Sequence, residues 1–273
     1  MSLLEETKLL LRTYRIEPKK SLGQNFTVEP QIFKQLVDHA SLNCNDTVLE
    51  VGSGLGFFTR FLSKKCKDVF AVEADSKLVN LLRERLRDLP NVRIFEGDIL
   101  NVALPPFNKI VSIPPYQISS KLLLWILKRE FKCAVMVFQR EFAQKLVAPV
   151  GTRNYGWLTV FAYHFSHIEL LNEIPKSMFY PEPKIDSVIM RVTPKEKQPF
   201  MSENEKSIER FLRILFTRRN RTVRNAVLAY LKQTPTTSKE DVMKPVNSMI
   251  LGVKRVRQLE PKDFGELASA IIK

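Results

Sequence analysis

An α/β fold built on a mostly parallel seven-stranded sheet, followed by a small all-α C-terminal domain, is what the sequence predicts, and three observations predict it. Apolar strand-like runs alternate with helix-spaced segments through the first 195 residues, the signature of a parallel sheet covered on both faces. Three alternate glycines, Gly52, Gly54 and Gly56, follow directly on an apolar run and open a helical pattern. Beyond the polar, proline-bounded stretch Pro194 to Pro199 only helical spacing continues. The expected division is 1–195 and 196–273, with the boundary in that stretch.

Taken in order, Glu5 to Tyr14 reads as a short amphipathic helix, and the basic polar loop Pro18 to Thr27 follows it. Glu29 to Ala40 returns to helical spacing through Ile32, Phe33, Leu36 and Val37. Strands are predicted at Thr47–Val51, Val69–Glu73, Val92–Glu96, Lys109–Ile113 and Ala134–Gln139, the last apolar enough to lie inside the sheet. Ile168–Ile174 and Ser187–Val192 supply a last pair at the sheet edge. In the C-terminal part, Ile208, Phe211, Leu212 and Leu215 keep a helical period, as do Val223, Ala226, Val227 and Tyr230. Thr236 to Glu240 reads as a further helix start.

The chain has 273 residues, 44% of them hydrophobic and 26% charged, which is ample for a core. No run of about 18 apolar residues occurs, and the N-terminus has no signal-peptide core, so a cytoplasmic protein is expected. Cys44, Cys66 and Cys133 lack metal-ligand spacing, so neither a metal site nor a disulfide framework is expected. The net charge is +14, which points to a polyanionic partner, usually nucleic acid. Residues 1–195 hold 27 Lys and Arg against 20 Asp and Glu, and residues 196–273 hold 16 against 9. The shorter part is therefore the more positive per residue, and Arg218, Arg219, Arg221 and Arg224 are its candidate RNA contacts.

The glycine turn lets a ligand approach bare backbone, because no Cβ stands in the way. Its GxGxG spacing differs from the dinucleotide fingerprint, and a tight structural turn remains open as a second reading. Glu73 ends the second strand 21 residues after Gly52, where an acid suits the hydroxyls of a ribose. Asp98 follows the third strand and suits an adenine amino group. Both acids are also natural helix caps. After the fourth strand comes Ser112-Ile113-Pro114-Pro115-Tyr116, at the ligand-bearing strand ends. The two prolines stiffen the loop and remove two donors, leaving carbonyls free to accept. Met178 to Lys184 is a second proline-stiffened aromatic loop. Tyr116 and Phe179 are expected to clamp an extruded base, and Tyr180 to plug the core.

These residues resemble the KsgA-like ribosomal RNA adenine N6-dimethyltransferases over almost the whole chain. The resemblance rests on Gly23-Gln24-Asn25-Phe26, Glu50 to Gly56, Gly97-Asp98, Pro115-Tyr116-Gln117-Ile118-Ser119, Phe179-x-Pro181-x-Pro183, and the late arginines with Asn225. It implies a Rossmann-like class I methyltransferase domain that uses S-adenosyl-L-methionine. Asn25, Thr27, Gly52, Gly54, Glu73 and Asp98 would be cofactor contacts, and Ile113, Pro114, Tyr116 and Phe179 the catalytic set. It further implies dimethylation of adjacent adenosines near the 3′ end of small-subunit rRNA, on immature small subunits, by a monomer. One departure stands out. The family reads Asn-Leu/Ile-Pro-Tyr where this chain has Ile113-Pro114-Pro115-Tyr116, so isoleucine replaces a side chain that accepts from the target amino group. A large-subunit rRNA methyltransferase and a non-catalytic assembly factor that kept the fold remain open as alternatives.

Overall fold

The computed structural model describes residues 1–195, 205–233, 243 and 250–272. The expected helix start at Thr236 to Glu240 and most of the proline-bounded stretch lie outside the described residues. Among those described, no helix is long and apolar enough to cross a membrane.

Helix α1 (Leu3–Thr13) starts in a capping box, with the Ser2 hydroxyl accepting from Glu5 N–H and the Glu5 carboxylate accepting from Ser2 N–H. The short strand β1 (Phe26–Thr27) precedes α2 (Pro30–His39), which Glu29 caps and Pro30 opens at the first helical position. Four strand–helix or strand–loop units follow: β2 (Thr47–Val51) and α3 (Phe57–Ser63), β3 (Asp68–Glu73) and α4 (Ser76–Arg85), β4 (Val92–Glu96), then β5 (Lys109–Ser112) and α5 (Ser119–Leu127). Next come β6 (Cys133–Gln139), α6 (Arg140–Leu146), α7 (Trp157–Phe165), β7 (Ser166–Ile174), β8 (Phe179–Tyr180) and β9 (Ser187–Pro194). The C-terminal helices are α8 (Glu205–Thr217), α9 (Val223–Gln233) and α10 (Pro261–Ile271).

Seven strands form one sheet in the order β4-β3-β2-β5-β6-β9-β7. The pairs β2–β3, β2–β5, β3–β4 and β5–β6 are parallel, and β6–β9 is antiparallel. The expected mostly parallel seven-stranded sheet is what forms, with β6 inside it and β7 at one edge. Val48, Val69, Val111 and Val135 of neighbouring strands share one core cluster with Leu36, Phe58 and Leu62. Each such fully buried side chain contributes roughly 1.5–3 kcal/mol of hydrophobic stabilisation. A second, two-stranded sheet was not foreseen: β1 pairs antiparallel with β8, setting Phe26 opposite Tyr180 and Thr27 opposite Phe179.

The chain divides into two compact units, Met1–Ala143 with Glu169–Pro194, and Gln144–Ile168 with Lys195–Lys273. This differs from a single cut at 195. Residues 144–168 belong with the C-terminal helices because α7 is apolar, with Val160, Phe161 and Ala162 fully buried, and packs on α8 and α10. Polar ties fix the same segment. Tyr155 O–H donates to the Leu259 carbonyl at 2.8 Å, and a His164 ring nitrogen lies 2.8 Å from the Pro261 carbonyl.

Candidate active site

The carboxyl ends of β4, β3, β2 and β5 meet at one edge of the first unit, where open α/β sheets bind ligands. A cavity of about 230 Å³ opens there. Gly52 and Gly54 line it from the turn after β2, Glu73 from the end of β3, Asp98 from the turn after β4, and Ile113 and Pro114 from the loop after β5. Asn25 lines it from the N-terminal loop. Seven of the ten residues expected in the cofactor and catalytic sets are thus brought to one cavity.

The turn has the shape it has because of its glycines. Gly52 and Gly54 have φ of +77° and +56°, a region costly for residues with a Cβ. A Cβ on Gly52 would lie 2.8 Å from Pro115 Cδ, so the glycine turn and the proline loop fit each other only without it. The turn spends its donors internally. Gly52 and Ser53 N–H donate to the Val72 carbonyl, Gly56 N–H to the Ser53 carbonyl, and Gly54 N–H to Glu73 Oε2 at 2.9 Å. A loop with those N–H groups committed is not a phosphate cradle.

Glu73 is 7% exposed and also accepts from Ala74 and Asp75 N–H through Oε1. Three of its roughly four acceptor positions are filled. Burial pushes its carboxyl above the usual range, and those N–H donors hold it back. It does not cap α4; Asp75 does, accepting from Lys77 N–H. Asp98 is exposed and lines the cavity; it accepts from Leu100 N–H at 3.0 Å within a turn, and no helix follows for it to cap.

The loop 19–25 roofs the cavity through a series of amides. Lys19 N–H donates to Gln24 Oε1, Gln24 Nε2 donates to Asp75 Oδ2, and Gln117 Nε2 donates to the Lys20 carbonyl. Asn25 Nδ2 donates to the Gly23 carbonyl. Burial raises the Asp75 carboxyl, but the Lys19 ammonium and the Gln24 amide outweigh it and the net shift is down.

Thr27 departs from expectation. Its hydroxyl donates to the Met178 carbonyl at 3.3 Å, joining β1 to the aromatic loop, and it lines a smaller neighbouring cavity of about 50 Å³ instead. That cavity contains a residue that the sequence places in a motif but not among the expected site residues. Glu50, 2% exposed at the end of β2, accepts from the Thr59 hydroxyl at 2.6 Å. Burial pushes its carboxyl up to about 7. The Thr59 hydroxyl holds that push back, and the Ser53 hydroxyl beside it is buried without a hydrogen-bond partner. An acid inside an otherwise apolar strand, Val48-Leu49-Glu50-Val51, was the available signal.

Tyr116 and Phe179 also come together, though not as an open slot. Their ring centroids lie 6.5 Å apart at 73°, edge to face, and Phe179 is 3% exposed within the core cluster. A base held between two rings needs them nearly parallel, so in this conformation Phe179 serves the core. Tyr116 O–H is 2.7 Å from Ser187 Oγ, and burial pushes its phenol up to about 12. Tyr116 faces a third cavity, about 510 Å³, shared with Gln139, Lys20 and Lys184. Gly23, Gln24, Asn25 and Gln117 line both this space and the 230 Å³ cavity. Ser112 is no site residue: its hydroxyl donates to Val51 C=O at 2.6 Å and accepts from Val51 N–H.

In the second unit, Arg218, Arg221 and Arg224 are exposed. Arg219 is half-buried, and its guanidinium donates to the Thr152 and Arg153 carbonyls, so it clips the 144–168 segment in place rather than standing free for RNA. A single bridge, Thr222 to Arg255, sets Lys254, Arg255 and Arg257 beside these arginines.

The donor set suits S-adenosylmethionine. Two carboxyls, Glu73 and Asp98, line the 230 Å³ cavity and offer acceptors to a ribose and an amino group. The committed turn N–H groups disfavour a pyrophosphate. Comparison with known proteins agrees. A relative in Thermococcus gammatolerans, described as a probable ribosomal RNA small subunit methyltransferase A, is 38% identical over 93% of this chain and 89% of its own length. One from Methanopyrus kandleri with the same description is 35% identical over 99% and 98%. The crystal structure of a dimethyladenosine transferase from Plasmodium falciparum matches with a TM-score of 0.76, at 30% identity, over 89% of this chain and 96% of that one. The 23S rRNA methyltransferase ErmE matches at 0.64, with 26% identity, over 91% and 100%. S-adenosylmethionine is the cofactor of such enzymes and of this one. The family described as ribosomal RNA adenine dimethylase matches residues 16–273, and this chain, an rRNA adenine methyltransferase, belongs to it.

Proposed function

We propose that the chain methylates N6 of two neighbouring adenosines near the 3′ end of small-subunit rRNA, on immature subunits, as a cytoplasmic monomer. The observation that carries this reading is the pair of adjoining cavities: one lined by the Glu73 and Asp98 carboxyls, the other faced by Tyr116 and two lysines, with Asn25 and Gln117 on their common wall. S-adenosylmethionine, when bound, supplies a methyl group on a cationic sulfur whose leaving group is a neutral thioether. Glu73 would hold the ribose with its remaining acceptor position, and Asp98 would accept from the adenine amino group.

Adenine's exocyclic nitrogen is a weak nucleophile because its lone pair is conjugated with the ring. The work left to the protein is positioning and polarisation. Tyr116 and Phe179 stack the target base once their rings part. The Ile113 and Pro114 carbonyls accept from the amino hydrogens in place of the missing asparagine. Tyr116 is not the base, since a phenol pushed up to about 12 keeps its proton at neutral pH.

Incubation with labelled S-adenosylmethionine tests the reading. Label should enter immature small subunits at two adjacent adenosines. Label only in large-subunit RNA would move the chain toward activity of the kind named for ErmE. Binding without transfer would favour a non-catalytic assembly factor, the reading that Ile113 supports.

A further inference from the structure

A cationic groove on the first unit lies outside everything described so far. Lys8 and Arg12 are one turn apart on α1, and Arg15 follows in the turn after the helix; all three come to one groove as a cationic stripe. Thr7 and Leu11 of α1 are buried, and Leu11 lies next to the helix's two cations on the groove side. The stripe lines a groove of about 600 Å³ whose floor includes Leu11, Ile16 and Tyr180. Lys8 Nζ stands 5.2 Å from the Tyr180 ring centroid. Glu17 is the one acid among the lining residues. Tyr180 was expected to plug the core; it is half-buried, with part of its ring on this groove. Pro18 lines both this groove and the 510 Å³ cavity that holds Tyr116, Lys20 and Lys184.

We propose that this groove binds the single-stranded RNA that flanks the target adenosine, with Lys8, Arg12 and Arg15 on its phosphates and Tyr180 under one of its bases. Cations spaced along a groove with an aromatic floor are the usual means of holding a single strand without reading its sequence. A strand whose target base enters at Tyr116 has to leave that cavity, and the groove adjoins it through Pro18. Lys19 takes no part, since its ammonium is paired with Asp75 at 2.8 Å. The proposal rests on the reading of this chain as an RNA methyltransferase.

The test compares the native chain with the triple variant Lys8→Gln/Arg12→Gln/Arg15→Gln and with a charge-matched control, Lys64→Gln/Lys65→Gln/Lys67→Gln, on exposed positions after α3. Binding to an unmethylated transcript of the small-subunit rRNA 3′ end is followed against salt. Each lost phosphate contact lowers the log–log slope by roughly 0.7–0.9. The stripe variant should lose about 2–3 from the slope and raise KM for RNA about tenfold or more, with kcat, cofactor affinity and Tm unchanged. The control should keep the native slope. An unchanged slope in the stripe variant, or an equal loss in the control, overturns the groove while native methyl transfer leaves the functional reading standing. Native binding without transfer, with the slope loss intact, sinks the functional reading and supports the groove. Retained RNA binding with lost binding to poly-glutamate marks an acidic protein as the occupant and overturns the proposal.

Discussion

Two side chains, one buried and one half-buried, carry the sharpest consequences at the scale of single residues. Glu50 is buried with its carboxyl pushed up from 4.5 to about 7. Between those values the unfolded chain gives up a proton that the folded chain keeps. The folded state then binds more protons, so stability falls as pH rises through that window and levels off above it. The shift corresponds to about 3 kcal/mol. Glu50→Gln keeps an acceptor for the Thr59 hydroxyl and should flatten this decline, leaving the variant about 1–3 kcal/mol more stable than native at pH 8. Denaturant titrations at several pH values check this, and parallel declines in both proteins would remove Glu50 as the cause. Ile113 lines both the 230 Å³ and the 50 Å³ cavities and packs against the core cluster. Ile113→Asn should restore the missing acceptor and speed the first methyl transfer by about 10- to 1000-fold. Partial burial of its amide should cost about 1–3 kcal/mol of stability. Mass spectrometry of unmodified, monomethyl and dimethyl adenosine over time reads the first effect. A slower variant of native fold would mean the loop is built around isoleucine.

Whether an element was legible depended on how much pattern it carried. Strands β2, β3 and β6 announced themselves because buried strands of a largely parallel sheet read as apolar runs. The pairing of β1 with β8 was invisible, since two residues have no period and their partners lie about 150 positions away. Residues 144–168 were misassigned for a related reason: nothing in α7 itself says which unit will cover an apolar helix. The cavity-lining residues were read well where a strand end placed them, as with Glu73 and Asp98. Thr27, Phe179 and Arg219 were read less well because their side chains answer to distant backbone or to the core. Arg219 gives a test. Arg219→Ala removes two charge-assisted hydrogen bonds to the Thr152 and Arg153 carbonyls, and should cost about 1–3 kcal/mol after allowance for its half-exposed position. Arg218→Ala, one residue away and exposed, should leave Tm unchanged and weaken RNA binding. Calorimetry and filter binding on the pair separate clip from contact, and equal Tm values would return Arg219 to the RNA surface.

At the scale of the whole molecule, charge is the property the fold distributes with most consequence. The net +14 is not a uniform coat. In the first unit it includes the α1 stripe and the lysines beside Tyr116. In the second it includes Arg218, Arg221 and Arg224 with Lys254, Arg255 and Arg257. If both clusters touch RNA, each neutralises its own phosphates, and the counterions released should add. Variants at separate, non-contacting sites combine additively to within about 0.5 kcal/mol. Arg218→Gln/Arg221→Gln/Arg224→Gln should therefore lower the salt slope by about 2–3, as the α1 triple variant does, and the six-fold variant should lower it by about 4–6. The cofactor's affinity should stay at the native value in all three, because none of these residues lines the 230 Å³ cavity. Affinity measured against salt for native, two triple variants and the combined protein decides the matter. A combined loss no larger than either triple alone would mean that the two clusters compete for the same phosphates, or that one of them never meets RNA.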